Sequence, residues 1–351
     1  MASTPYKPGL HRIALLTAAV TFPLIFAGGL VTSKQAGLAV PDWPNSFGYN
    51  MFLFPPSKWV GGIFFEHVHR LMATVVGMFS MLLCGWAWLT PQRKTVRWTA
   101  TAVLIGVIFQ GVLGGLRVVL VNLDLAIVHG CFAQAFFCLA AFMAVITSRW
   151  WNTAPDLTRA DDAGHGRRLV IAGLFTVGCI YCQLIVGAVM RHEQAGLAVP
   201  DIPFIYGKWV PPMTQDQLNA VNQLRVWKLD LPQVTMAQIW LHYAHRIGAL
   251  IVSIAVVGLA LHVFLFHRHR RELKWPAGLI VALLIAQLVL GLATVYYRKP
   301  ADVASSHVAV GALVLMTSFV LTVRAKRLYW PHKIETTGWT PSQSSVLSTQ
   351  S

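Results

Sequence analysis

Long apolar blocks separated by short polar segments dominate this chain. Blocks of roughly 20 residues, the length of helix that crosses bilayer hydrocarbon, lie at about 12–32, 66–89, 98–117, 125–147, 168–190, 237–264, 276–296 and 304–323. The pattern predicts eight transmembrane helices. The aromatic, glycine-rich stretch 59–65 runs into the second block, which leaves the start of that helix open by several residues. Arg12 opens a run too long for a cleavable leader, and no small-residue cleavage site follows it.

Composition agrees. Hydrophobic residues make up 56% of the chain and charged residues 12%, with a mean hydropathy of +0.58, whereas soluble domains carry about 25% charged residues. This is an all-α integral membrane protein. The formal net charge of +15 gathers on one side, around Arg93, Lys94 and Arg97, Arg167 and Arg168, Arg268, Arg270, Arg271 and Lys274, and Arg324, Lys326 and Arg327. That asymmetry follows the positive-inside rule, places both termini in the cytoplasm and removes the case for nucleic acid. All five cysteines (Cys84, Cys131, Cys138, Cys179 and Cys182) fall within the apolar blocks. There Cys179-x-x-Cys182 reads as small apolar packing rather than a redox motif.

The octapeptide Gln35-Ala36-Gly37-Leu38-Ala39-Val40-Pro41-Asp42 recurs letter for letter as Gln194-Ala195-Gly196-Leu197-Ala198-Val199-Pro200-Asp201. Such identity within one chain marks tandem duplication. It implies two pseudo-symmetric four-helix bundles, residues 10–150 and 167–325, followed by a disordered cytoplasmic tail, 326–351. Gly28 and Gly187 fall in register upstream, Gln110 to Gly114 parallels Gln287 to Gly291, and Ser57-Lys58-Trp59 resembles Gly207-Lys208-Trp209 after a gap. An insertion rich in Gln, Asn and Asp, about 213–236, lengthens one loop of the second unit.

The second, fourth, sixth and eighth blocks run in one direction, and each carries a histidine near its outer end: His69, His129, His245 and His307. The alignment pairs His69-Arg70 with His245-Arg246, and His129 with His307. One intramembrane histidine is as readily packed and hydrogen-bonded as it is a ligand. Four at one depth, duplicated as pairs, point instead to two sites with facing imidazoles inside helical bundles. Zinc would require further ligands that neither unit supplies. Haem iron, whose porphyrin provides the equatorial nitrogens, suits two opposed imidazoles. The other histidines, including His67, His165, His192, His262 and His267, read as background.

Arg70 and Arg246 follow the histidines of the second and sixth blocks. Each is a candidate for bidentate bonding to haem propionates, with interfacial anchoring as the alternative. The halves differ at Glu66, one helical turn before His69, whose counterpart is His242. A carboxyl group beside a haem can move protons; alternatively it caps the helix start. The halves are thus duplicated in binding but not in chemistry.

The ordered set of eight spans, the loop Gly37-Leu38-Ala39-Val40-Pro41-Asp42-Trp43-Pro44, the motif Glu66-His67-Val68-His69-Arg70 and the three further histidines resembles the haem A synthase family over roughly residues 10–325. The resemblance implies oxidation of the C8 methyl of haem O, through an alcohol and a gem-diol, to the formyl group of haem A. It further implies that His245 and His307 ligate a resident haem b, with Arg246 on its propionate. His69, His129 and Arg70 would frame the haem O substrate, and Glu66 would be the essential acid. A bacterial inner-membrane location with the haem sites toward the outer face is expected. Expected partners are haem O synthase, an electron donor such as a ferredoxin or quinol, and membrane lipid; a homo-oligomer is left open. Some relatives carry a cysteine pair in the outer loops, which this chain lacks. A di-haem electron carrier and a haem transporter or chaperone are the competing readings.

Overall fold

The computed structural model describes residues 6–331. Ten helices follow in order: α1 (Pro8–Ser33), α2 (Gly61–Leu89), α3 (Lys94–Val119), α4 (Leu123–Thr147), α5 (Arg149–Thr153), α6 (Ala163–His192), α7 (Gln215–Lys228), α8 (Met236–Phe266), α9 (Arg271–Tyr296) and α10 (Ala301–Tyr329). Eight of them, all but α5 and α7, are long and apolar enough to cross a membrane. Two of the membrane helices, α4 and α8, start on polar side-chain caps. Asn122 accepts from the Leu125 amide, and Thr235 closes a capping box with Gln238, relieving amides that helix starts leave unpaired. Helix α2 begins at Gly61, five residues ahead of the block. At the other end α10 continues through Tyr329, so residues 326–329 are helical rather than tail. Residues 332–351 lie outside the described part.

Each half closes a ring. Helix α1 packs on α2 and α4, and α3 packs on α2 and α4; likewise α6 packs on α8 and α10, and α9 on α8 and α10. The halves meet through α1 and α4 against α10, with α4 also touching α6. Membrane helices gain little from hydrophobicity against lipid, so close backbone approach carries the packing. A Cβ on Gly166 or Gly173 of α6 would overlap Tyr329 or Thr322 of α10. At the end opposite the repeated loops, Arg327 donates to the Ala154 carbonyl at 2.9 Å and lies over the Trp151 ring. That contact ties the linker between the halves to the last helix.

Candidate functional site

The two copies of the octapeptide open two loops with the same conformation. Gln35 and Gln194 adopt positive φ, as do Phe47 and Tyr206, Gly48 and Gly207, and the Trp43–Pro44 and Ile202–Pro203 peptides are both cis. In the first loop Asp42 accepts from the Phe47 and Gly48 amides at 2.7 and 2.8 Å. In the second, Asp201 accepts from the Tyr206 and Gly207 amides at 2.9 Å each. The ungapped match therefore continues to Tyr49 and Lys208, which close equivalent bridges with Ser46 and Ile205. This corrects the gapped pairing of Ser57-Lys58-Trp59 with Gly207-Lys208-Trp209, because backbone conformation and not letter identity carries the register here.

An arginine holds each loop down. Arg70 donates to the carbonyls of Val40, Asp42 and Asn45 at 2.9, 2.7 and 2.9 Å, and Arg246 donates to Val199 and Phe204 at 2.8 and 3.0 Å. Charge-assisted bonds to carbonyls are stronger than neutral ones. This placement differs from the propionate contact expected of both residues: these guanidinium N–H groups face loop backbone. The second loop has an additional brace in the 213–236 insertion. There Arg225 of α7 is buried and donates to Leu197 and Pro232 carbonyls and to Tyr206 Oη.

Beneath the loops stand the four histidines, each half-buried. His69 and His129 lie within electrostatic range of each other, as do His245 and His307. Each imidazole rests against a glycine of a neighbouring helix. A Cβ on Gly28 would meet Cε1 of His69 at 3.0 Å, on Gly114 His129 at 3.2 Å, on Gly187 His245 at 3.1 Å, and on Gly291 His307 at 3.1 Å. Any larger residue would push the ring aside. Four residues before three of these glycines is a glutamine. Gln110 donates to the His129 carbonyl at 3.2 Å, and Gln183 donates to the His245 carbonyl at 2.8 Å and lies 3.0 Å from its Nδ1. The carbonyl of Gln287 lies 3.1 Å from His307 Nδ1. At the fourth position α1 has Leu24, and the Nδ1 of His69 is without a partner among the described residues.

Glu66 is the centre of the asymmetry. It sits on the second turn of α2, whose first turn holds no acid, so it does not cap the helix. Its side chain is 3% exposed and bridges Arg70 (Oε1, 3.2 Å) and Arg117 of α3 (Oε2, 3.4 Å). Burying a charge is tolerable only with such partners. His242, at the matching place, is instead tied to its loop: its Nδ1 lies 3.0 Å from the Ala195 carbonyl, to which it donates when protonated, and 3.3 Å from the Val199 amide, from which it accepts in the other tautomer. Arg117 also covers Gly37, where a Cβ would come 3.0 Å from its Nη1. His67 faces away from the paired histidines, against Phe54, Trp59 and Ser46.

Sequence reading singled out the histidines and Glu66 but not Arg117, Arg225 or the use of the four glycines. The glycines and glutamines were visible as register marks; that each glycine seats a ring required helix adjacency. No group of three or more His, Cys, Asp or Glu side chains able to hold a metal ion occurs among the described residues. Paired imidazoles of this kind would suit a porphyrin iron, to which the macrocycle supplies the other donors. Nδ1 of His307 is directed at the Gln287 carbonyl, and its Nε2, 3.4 Å from the Gln287 side-chain Nε2, is the lone-pair nitrogen that a metal would take over from that amide. His129 Nδ1 and Arg117 Nε in the first half, and Gln287 Oε1 in the second, are buried without hydrogen-bond partners among the described residues. Sites closed by protein alone rarely leave such atoms.

Residues 11–319 match the COX15-CtaA family, described as cytochrome oxidase assembly protein. Similar proteins include the Heme A synthase of Shouchella clausii, 26% identical over 93% of this chain and 98% of that protein. The Heme A synthase of Shewanella oneidensis is 26% identical over 86% of this chain and 92% of its own length. That of Listeria monocytogenes is 26% identical over 90% and 93%.

Proposed function

The chain belongs to the COX15-CtaA family of cytochrome oxidase assembly proteins, and from that premise we propose that it oxidises the C8 methyl group of haem O to the formyl group of haem A, with a haem b in its second half. It is an oxidoreductase of haem A biosynthesis, as its Heme A synthase relatives indicate. The single observation that carries the finer reading is the asymmetry of two otherwise matched sites. Both seat paired imidazoles on glycines, but only the first brings a buried carboxylate beside them, ion-paired to two arginines.

His245 and His307 would hold the haem b, which supplies a one-electron redox centre when bound. His69 and His129 frame the haem O substrate. Conversion of its C8 methyl to a formyl group adds one oxygen atom, at the level of water, and removes four electrons to an external acceptor and four protons, so a proton acceptor is needed next to it. Glu66 takes that role. Its Oε1 is held by Arg70 at 3.2 Å, and Oε2, at 3.4 Å from Arg117, is the looser oxygen; we assign proton uptake to Oε2. Arg70 and Arg246 act on the porphyrins through the loops they clamp. Under the positive-inside rule the loop end faces outward and both termini lie in the cytoplasm.

The test is spectroscopic. Purified His245→Ala or His307→Ala protein should lose most low-spin haem absorbance. A double variant that kept a full bis-histidine spectrum after haem O was stripped would contradict the assignment.

A further inference from the structure

The matched halves differ in charge beside their sites. Where the first half has Glu66, the second has the neutral His242; where α1 has Thr32, α6 has Arg191. Because Lys34 of the first half is matched by Glu193 and Arg117 by Lys299, the two halves differ in where these charges lie and not in their number. The repeated loop glycine is covered by a cation in both halves, Gly37 by Arg117 and Gly196 by Lys299, whose Cδ would lie 3.4 Å from an added Cβ. In the first half that cation is paired with Glu66. Its counterpart Lys299 is not.

Arg191 and Lys299 are both half-buried, and Arg191 lies within electrostatic range of Lys299. Burial first, and then Arg191, hold the Lys299 ammonium below the usual lysine range. Arg191 also lies within electrostatic range of His307. Every acceptor these two cations have is neutral. Arg191 donates to the Gly29 carbonyl and Ser33 Oγ of α1, and Lys299 donates to Gln194 Oε1 at 3.1 Å. Glu193 acts on His192 and forms no ion pair with either. The ion pairs among the described residues are Glu66 with Arg70 and Arg117, and Asp162 with His267. Two like charges near each other and partly screened from water, with no acid paired to either, make a site that an anion stabilises.

We propose that Arg191 and Lys299 form a carboxylate-binding subsite of the second half, which takes a propionate of the porphyrin ligated by His245 and His307. The proposal rests on the haem reading above. It also gives a physical reason for one porphyrin to be resident and the other exchangeable. In the first half Glu66 already occupies the cations that would otherwise hold a carboxylate, whereas in the second Arg191 and Lys299 meet only neutral acceptors, which a carboxylate of the cofactor can replace.

The test compares protohaem with its dimethyl ester, whose propionates carry no charge. Full-length protein in detergent is stripped of pigment and titrated with each, following low-spin Soret absorbance. Wild-type protein should prefer the free acid by on the order of tenfold or more, the scale of a charge-assisted carboxylate bond. Arg191→Gln with Lys299→Gln should abolish that preference, and Arg191→Lys with Lys299→Arg should keep most of it. Arg298→Gln, at an exposed neighbouring cation, should leave it unchanged. Equal binding of acid and ester by wild-type protein, as expected if the cations met an anionic lipid headgroup instead, would overturn the proposal. So would an undiminished preference in the double Gln variant with a normal low-spin spectrum. Absence of any low-spin spectrum in the wild type would overturn the haem reading itself and this proposal with it.

Discussion

Gly28 lies so close to His69 that a Cβ on it would stand 3.0 Å from the imidazole Cε1. The same fit at Gly114, Gly187 and Gly291 means that each ring is positioned by the absence of a side chain on the neighbouring helix. Close helix approach through glycine is common in membranes; here it fixes ring orientation as well.

Alanine at Gly187 or Gly291 should therefore displace the ring by a few tenths of an ångström and lower low-spin haem per polypeptide severalfold. Gly111→Ala adds a Cβ that meets nothing within 4 Å and should leave haem content unchanged. Equal haem content in all three variants would show that the rings are held by other contacts.

Much of this arrangement was legible in the sequence. The eight spans follow from apolar run length, because lipid requires uninterrupted helices. The four histidines stood out because the exact octapeptide supplied an internal alignment. Contacts between helices distant in sequence were not legible. Arg117 is 51 residues from Glu66, and nothing in its local pattern distinguishes it from an interfacial anchor. Arg70 and Arg246 read as ligand groups because a lone arginine beside a histidine does not reveal that loop carbonyls await it, 25 to 30 residues earlier for Arg70 and 42 to 47 for Arg246. Loop conformation was hidden for the same reason: Tyr49 and Lys208 share a backbone state without sharing a side chain.

Glu66→Gln keeps size and hydrogen bonding but removes the ionisable group. Haem A formation should fall by roughly 10²–10⁴-fold, the usual loss for a positioned acid–base group, while haem O or the alcohol accumulates. His242→Gln should disturb the second-site spectrum or potential with a smaller effect on turnover. Bound haem quantified in both variants separates chemistry from folding, and a wild-type rate with normal loading in Glu66→Gln would remove the carboxylate from the mechanism.

Arg70→Ala should free the first loop. Losing several charge-assisted bonds to carbonyls should cost about 2 kcal/mol or more, or roughly thirtyfold in the population of opened loop. Limited proteolysis within 35–49 measures this directly. Arg225→Ala should do the same at 194–208 and leave the first loop protected.

The first loop should also be acid-sensitive. Burial would raise the Asp42 carboxyl, but the Gly48, Phe47 and Asp42 amides and the Arg70 charge outweigh it and hold the pKa below the ordinary value. A depressed folded-state pKa means that the stabilisation is fully present above the unfolded value of about 3.9 and is lost as pH falls through the lower folded value. Protease protection of 35–49 should therefore persist at neutral pH and weaken below about pH 4. Asp42→Asn should remove that pH dependence.

Reporter fusions at Thr95 and after Gly164 should read cytoplasmic, and fusions at Asn45 and Asn219 external. The opposite pattern would put the loop-covered sites at the inner face.

The central claim is conversion of haem O to haem A, and expression in a host that makes haem O but lacks haem A tests it most directly. Extracted pigments are separated by chromatography and identified by mass. The account expects haem A with the wild-type chain and haem O or its alcohol with Glu66→Gln. Haem O alone, recovered with wild-type protein that is folded and carries a low-spin haem, would contradict it.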